Sequence, residues 1–173
     1  LPAKYVCDLI DGIYRNFDVP KKAEFTMEAN PATVSGATIA KYRRAGVNRL
    51  SIGLQSANQE ELSALSRIHT REDFEASYLA ARNAGFRNIN VDIMYGIPLQ
   101  TPDSFNRTLD YVTKLEPEHI SMYGLKIEDE TPFAAARDTL ILPDEDSEAD
   151  MYFDGIRYLE AKGFRHYEIS NFA

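Results

Sequence analysis

Asn83-Ala84-Gly85-Phe86-Arg87-Asn88-Ile89-Asn90-Val91 is the stretch from which the fold is read. A glycine after a helical run takes the left-handed conformation that closes the last turn, and alternating apolar residues beyond it start a strand. The same pattern recurs in Arg44-Ala45-Gly46-Val47-Asn48-Arg49-Leu50-Ser51-Ile52 and in Ala161-Lys162-Gly163-Phe164-Arg165-His166-Tyr167-Glu168-Ile169. A fourth copy, Leu115-Glu116-Pro117-Glu118-His119-Ile120-Ser121-Met122, reads with proline in the place of the glycine, since proline cannot continue a helix.

Upstream of these breaks the apolar spacing is helical. Phe105, Leu109, Val112 and Leu115 share one face, as do Phe74, Tyr78 and Ala81, and Tyr152, Ile156 and Leu159. Thr101-Pro102 and Thr131-Pro132 each place a hydroxyl at the cap and proline in the first turn. Asn58 before Glu61 and Thr70 before Asp73 read as capping pairs. With a first helix at about 3–16, strands are predicted near 24–30, 48–54, 88–95, 119–125 and 165–169. Such alternation predicts an α/β fold, with parallel strands joined by right-handed crossovers. Five strands cannot close an eight-stranded barrel, so the expected state is an open arc: a parallel (β/α) partial TIM-like barrel, incomplete in this chain.

Composition narrows the class. With 173 residues and 44% hydrophobic content, 1–173 is expected to form a single domain around one core. A net charge of -8 argues against binding nucleic-acid backbones. Apolar runs are short and interrupted by charge, so no membrane span is expected. Cys7 is the one cysteine, which excludes an internal disulfide and a cysteine-rich zinc site. A cytoplasmic location is the expectation. Leu1 stands where a complete chain would begin with Met, and the chain is read as starting part-way through a longer protein.

Ligands of parallel α/β folds bind at the carboxyl ends of the strands. Glu28, Gln55 and Asp92 fall at three neighbouring strand ends and are read as facing one mouth. Two carboxylates and an amide can accept hydrogen bonds from an ammonium group and a ribose diol. They could equally pair with Arg or Lys at the rim. Arg67, in Leu65-Ser66-Arg67-Ile68-His69, could grip a carboxylate through two parallel bonds, although alone it reads as a solvated arginine. His119 opens a strand at the far pole and reads as structural. His69 is either a supporting or a surface group, and His166 lies early in the last strand. No His, Cys and carboxylate spacing marks a metal site, and no glycine-rich phosphate loop supports a barrel enzyme acting on a phosphorylated metabolite.

Read together, these strand ends resemble the radical S-adenosylmethionine superfamily, and within it the oxygen-independent coproporphyrinogen III oxidase-like group. The matching text is Met27-Glu28-Ala29-Asn30-Pro31, Asn48-Arg49-Leu50-Ser51-Ile52-Gly53-Leu54-Gln55-Ser56, Asn90-Val91-Asp92-Ile93-Met94-Tyr95-Gly96-Ile97-Pro98 and Tyr167-Glu168-Ile169-Ser170-Asn171-Phe172-Ala173. The resemblance implies that Glu28 contacts the S-adenosylmethionine bound at a [4Fe-4S] cluster. It implies that Gln55, Arg67 and Asp92 hold a second S-adenosylmethionine. The CxxxCxxC cluster motif and the GGTP turn of the superfamily are absent, so the first two strands of the barrel are expected to lie outside this chain, together with the cluster ligands. This chain alone should therefore be inactive. Within the group the last stretch looks like the heme-chaperone type, which implies heme as cargo and a heme-accepting respiratory protein as partner. The alternative is coproporphyrinogen III dehydrogenase, acting on a porphyrinogen.

Overall fold

The computed structural model describes residues 2–20 and 22–173. The chain opens with helix α1 (Ala3–Asn16) and then alternates: β1 (Thr26–Ala29), α2 (Gly36–Ala45), β2 (Arg49–Gln55), α3 (Gln59–Ala64), α4 (Arg71–Asn83), β3 (Ile89–Tyr95), α5 (Pro102–Thr113) and β4 (His119–Gly124). A short α6 (Pro132–Ala135) and a 3₁₀ turn (Arg137–Thr139) lead into the long α7 (Glu145–Ala161) and a brief β5 (Asn171–Phe172). The strands lie in chain order, β1-β2-β3-β4-β5. The first four are parallel. This is the open α/β arc expected from the repeat.

Helix ends follow the local chemistry. Gly85 and Gly46 have φ of 90° and 121°, and Phe86 and Val47 donate back to the carbonyls of Ala81 and Tyr42, closing each helix in a Schellman turn. In the fourth copy the left-handed position belongs to Glu116, at φ 53°, and Pro117 comes after it. Proline therefore does not replace the glycine. It forbids further helix, and the glutamate accepts a left-handed conformation that costs about 1–2 kcal/mol. Thr70 and Thr101 both form complete capping boxes, with Asp73 and Ser104.

The last strand differs from its expected position. Residues 165–169 do not form a fifth parallel strand. The chain turns at Glu168, whose carboxylate accepts from the Ser170 N–H at 3.0 Å and bonds the Asn171 amide. β5 then runs antiparallel to β4, pairing Ser121 with Asn171 and Ile120 with Phe172. Phe172 is fully buried while Ile169 is 74% exposed, so the core contact falls three residues later than periodicity suggested.

Leu50, Ile52, Leu54, Val91, Ile93, Ile120 and Met122 point outward from the arc and are buried with Phe74, Tyr78, Phe105, Leu109, Val112 and Leu159 of the covering helices. The alternate residues of the same strands make up the inner face. That face is polar, with Ser51, Gly53 and Gln55 on β2, Asn90 and Asp92 on β3, and His119, Ser121 and Tyr123 on β4. Among the described residues, no helix is long and apolar enough to cross a membrane.

Candidate functional site

The inner face of the arc forms one open, polar cleft of about 750 Å³. Glu28, Gln55, Arg67 and Asp92 all line it, with Gly53, Tyr123 and Asn171 among the other walls. Parallel pairing explains the convergence, since Glu28 stands opposite Ser51, and Asp92 stands between Gly53 and Ser121.

Gln55 is the most constrained of these residues. The register of β2 against β3 shifts between Gly53 and Gln55, and Gln55 has φ 69°, a left-handed conformation that non-glycine residues rarely adopt. Its side chain folds back over Gly53, where a Cβ would come within 2.6 Å of the amide nitrogen. The Tyr123 hydroxyl donates to Gln55 Oε1 at 2.9 Å and fixes the amide so that its nitrogen faces the cleft. Burial pushes the Tyr123 phenol up, reinforced by the charge of Asp92, so it remains a donor.

Asp92 is half-buried, and both its oxygens are held. Ser51 Oγ donates to one at 3.0 Å, and the Asn90 amide donates to the other at 2.7 Å. Glu28 is exposed on β1. Among the described residues, neither carboxylate has an ion-pair partner, and nor does Arg67. Among the described residues, the rim-pairing alternative is therefore not seen.

Arg67 reaches the cleft from the α3–α4 loop, which is held at two points. The Arg67 N–H donates to the Leu62 carbonyl at 2.9 Å, and His69 Nε2 bonds the Leu54 carbonyl at 3.2 Å. His69 is buried rather than a surface residue, and desolvation holds its pKa below the ordinary value. Behind the loop lies Glu61, fully buried, whose carboxylate accepts from Ser56 Oγ at 2.6 Å and Gln100 Nε2 at 3.3 Å. Glu61 ties the end of β2 to the loop after β3. Sequence reasoning noted it only as a capping residue.

The donor set suits S-adenosylmethionine. Carboxylates suit an ammonium and a ribose diol, a guanidinium suits a carboxylate, and the cleft has room for both. It does not suit an iron–sulfur cluster. Cys7 lies on α1, partly buried against the core, and among the described residues no group of three or more His, Cys, Asp or Glu could hold a metal ion.

Three comparisons relate the chain to known proteins. Residues 5–112 match the Radical SAM superfamily. The chain is 39% identical over 165 residues to the heme chaperone HemW of Escherichia coli, covering 95% of this chain and 43% of that protein. It is 39% identical over 153 residues to HemW of Bacillus subtilis, covering 87% and 40%. The solved structure of coproporphyrinogen III oxidase (HemN) from Escherichia coli, a radical SAM enzyme, superimposes with a TM-score of 0.89 at 29% identity, over 100% of this chain and 40% of that one. The chain thus spans less than half the length of these relatives. It belongs to the radical SAM superfamily.

Proposed function

We propose that the cleft binds S-adenosylmethionine, and that the chain is a single domain within a longer, cytoplasmic heme chaperone of the oxygen-independent coproporphyrinogen III oxidase-like group. The observation that carries this is the set Glu28, Gln55, Arg67 and Asp92, which share one polar cleft and have no ion-pair partners among the described residues. Glu28 contacts the S-adenosylmethionine that sits at a [4Fe-4S] cluster, whose ligands come from outside this chain. Gln55, Arg67 and Asp92 hold a second S-adenosylmethionine. Asp92 accepts from its hydroxyl or ammonium donors, Arg67 grips its carboxylate, and Gln55 donates the amide hydrogens that Tyr123 aims into the cleft.

The chaperone reading rests on the relatives named heme chaperones and on the closing stretch Tyr167–Ala173. Heme is then the cargo, and a heme-accepting respiratory protein is the partner. The close superposition on HemN supports a second reading, coproporphyrinogen III dehydrogenase. Full-length protein, reconstituted anaerobically with its cluster, separates the two. Heme retained through gel filtration, with no protoporphyrinogen formed from coproporphyrinogen, is the expected result. Rapid decarboxylation without heme retention would overturn the chaperone reading.

A further inference from the structure

We infer that Asn90 is a positioning residue for Asp92, acting through the carboxylate and touching no ligand itself. Asn90 is buried on the inner face of β3, 2% exposed, and both its amide nitrogen and its amide oxygen are hydrogen-bonded. One amide hydrogen goes to Asp92 Oδ1 at 2.7 Å and the other to Ser51 Oγ at 2.7 Å. Ser51 passes its own hydroxyl hydrogen to Asp92 Oδ2 at 3.0 Å. Asn90 therefore holds one carboxylate oxygen directly and the other through Ser51.

The orientation of the Asn90 amide follows from its neighbours. Asp92 only accepts, so the NH₂ must face it and Oδ1 must face the other way. Oδ1 meets His119 Nδ1 and, at 3.1 Å, Ser121 Oγ. His119 must then carry its hydrogen on Nδ1, which leaves Nε2 to accept from the Tyr167 hydroxyl at 2.7 Å. A flipped amide would set two acceptors against each other at Asp92. The register explains the arrangement, since Ser51, Asn90 and His119 lie in one row across three strands. A buried asparagine is costly unless all its groups are satisfied, and here the satisfied network fixes a single geometry for the carboxylate above it.

This inference rests on the proposed S-adenosylmethionine site, and its test separates the two. Calorimetric affinity for S-adenosylmethionine is measured in the full-length reconstituted protein for Asn90→Leu, Asn90→Ala, Asp92→Ala and each double variant, with thermal unfolding alongside. Asn90→Ala removes the same donors without adding a charge beside Asp92 and without overpacking, so it serves if Asn90→Leu fails to fold. Each Asn90 variant is expected to weaken affinity about tenfold, the scale of a lost charge-assisted hydrogen bond, and less than about twofold once Asp92 is Ala. Equal loss in both backgrounds would mean a merely structural role and overturn the inference. So would unchanged affinity in the Asn90 variants where Asp92→Ala loses affinity. If Asp92→Ala itself loses nothing, the site reading fails, and the inference fails with it.

Discussion

Glu28 and Asp92 are held differently, and the difference sets what each substitution should do. Glu28 is exposed and unpaired among the described residues, so Glu28→Ala should weaken S-adenosylmethionine binding in the full-length protein while leaving stability within about 0.5 kcal/mol of wild type. Asp92→Ala strands the donors of Ser51 and Asn90, so it should also cost about 1–3 kcal/mol of stability. Calorimetry and urea unfolding on both variants check the contrast. Gly53→Ala would push the Gln55 amide out of its place by steric contact, and weaker binding with near wild-type unfolding is expected. The histidines give a pH signature. Burial lowers the pKa of both His69 and His119 from the ordinary 6.5, so folding prefers the neutral rings. Their contribution to stability is complete above pH 6.5 and is lost as pH falls through 6.5 toward the lower folded values. Urea midpoints should therefore fall between about pH 7.5 and 5.5, and His119→Gln should flatten that slope. A wild-type profile with no slope would contradict the buried neutral state.

At the scale of elements, helices carried their own evidence. The faces of α4 and α5 and their threonine caps are local features, and local features survive into the fold. β2 to β4 were legible for the same reason, because each follows a helix stop and alternates, and β1 because it follows the first helix. β5 was not, because its position depends on a tertiary choice: Glu168 turns the chain, and Phe172 outcompetes Ile169 for the core. The polar inner face is also written in the alternation of Ser51, Gly53 and Gln55 and of His119, Ser121 and Tyr123. Arg67 could not be placed from its own segment, since its loop is positioned by long-range bonds through His69 and Glu61. Glu61 gives the test at this scale. Removing its carboxylate leaves the hydrogen of the buried Ser56 hydroxyl and one Gln100 amide hydrogen without an acceptor, so Glu61→Ala should cost roughly 2–4 kcal/mol in chemical unfolding. It should also weaken binding at Gln55 and Arg67. A variant as stable as wild type would show that the tie between the two loops carries no energy.

For the whole molecule, the consequence of an open arc is that its inner face can be polar. A closed barrel of this size fills its centre with branched apolar side chains, whereas here Leu50, Ile52, Leu54, Val91, Ile93, Ile120 and Met122 turn outward to the helices and the centre is left as a cleft. Carboxylates that would be too costly in a dry core are tolerated in that cleft without ion-pair partners among the described residues. The fold places two carboxylates, an amide and a guanidinium around one space, and among the described residues no thiol lines it. The most direct measurement is a crystal structure of the full-length protein soaked with S-adenosylmethionine under anaerobic conditions. Ligand density bonded to Glu28, Gln55, Arg67 and Asp92 is the expected result. Ordered S-adenosylmethionine elsewhere, with those four side chains touching only water, would contradict it.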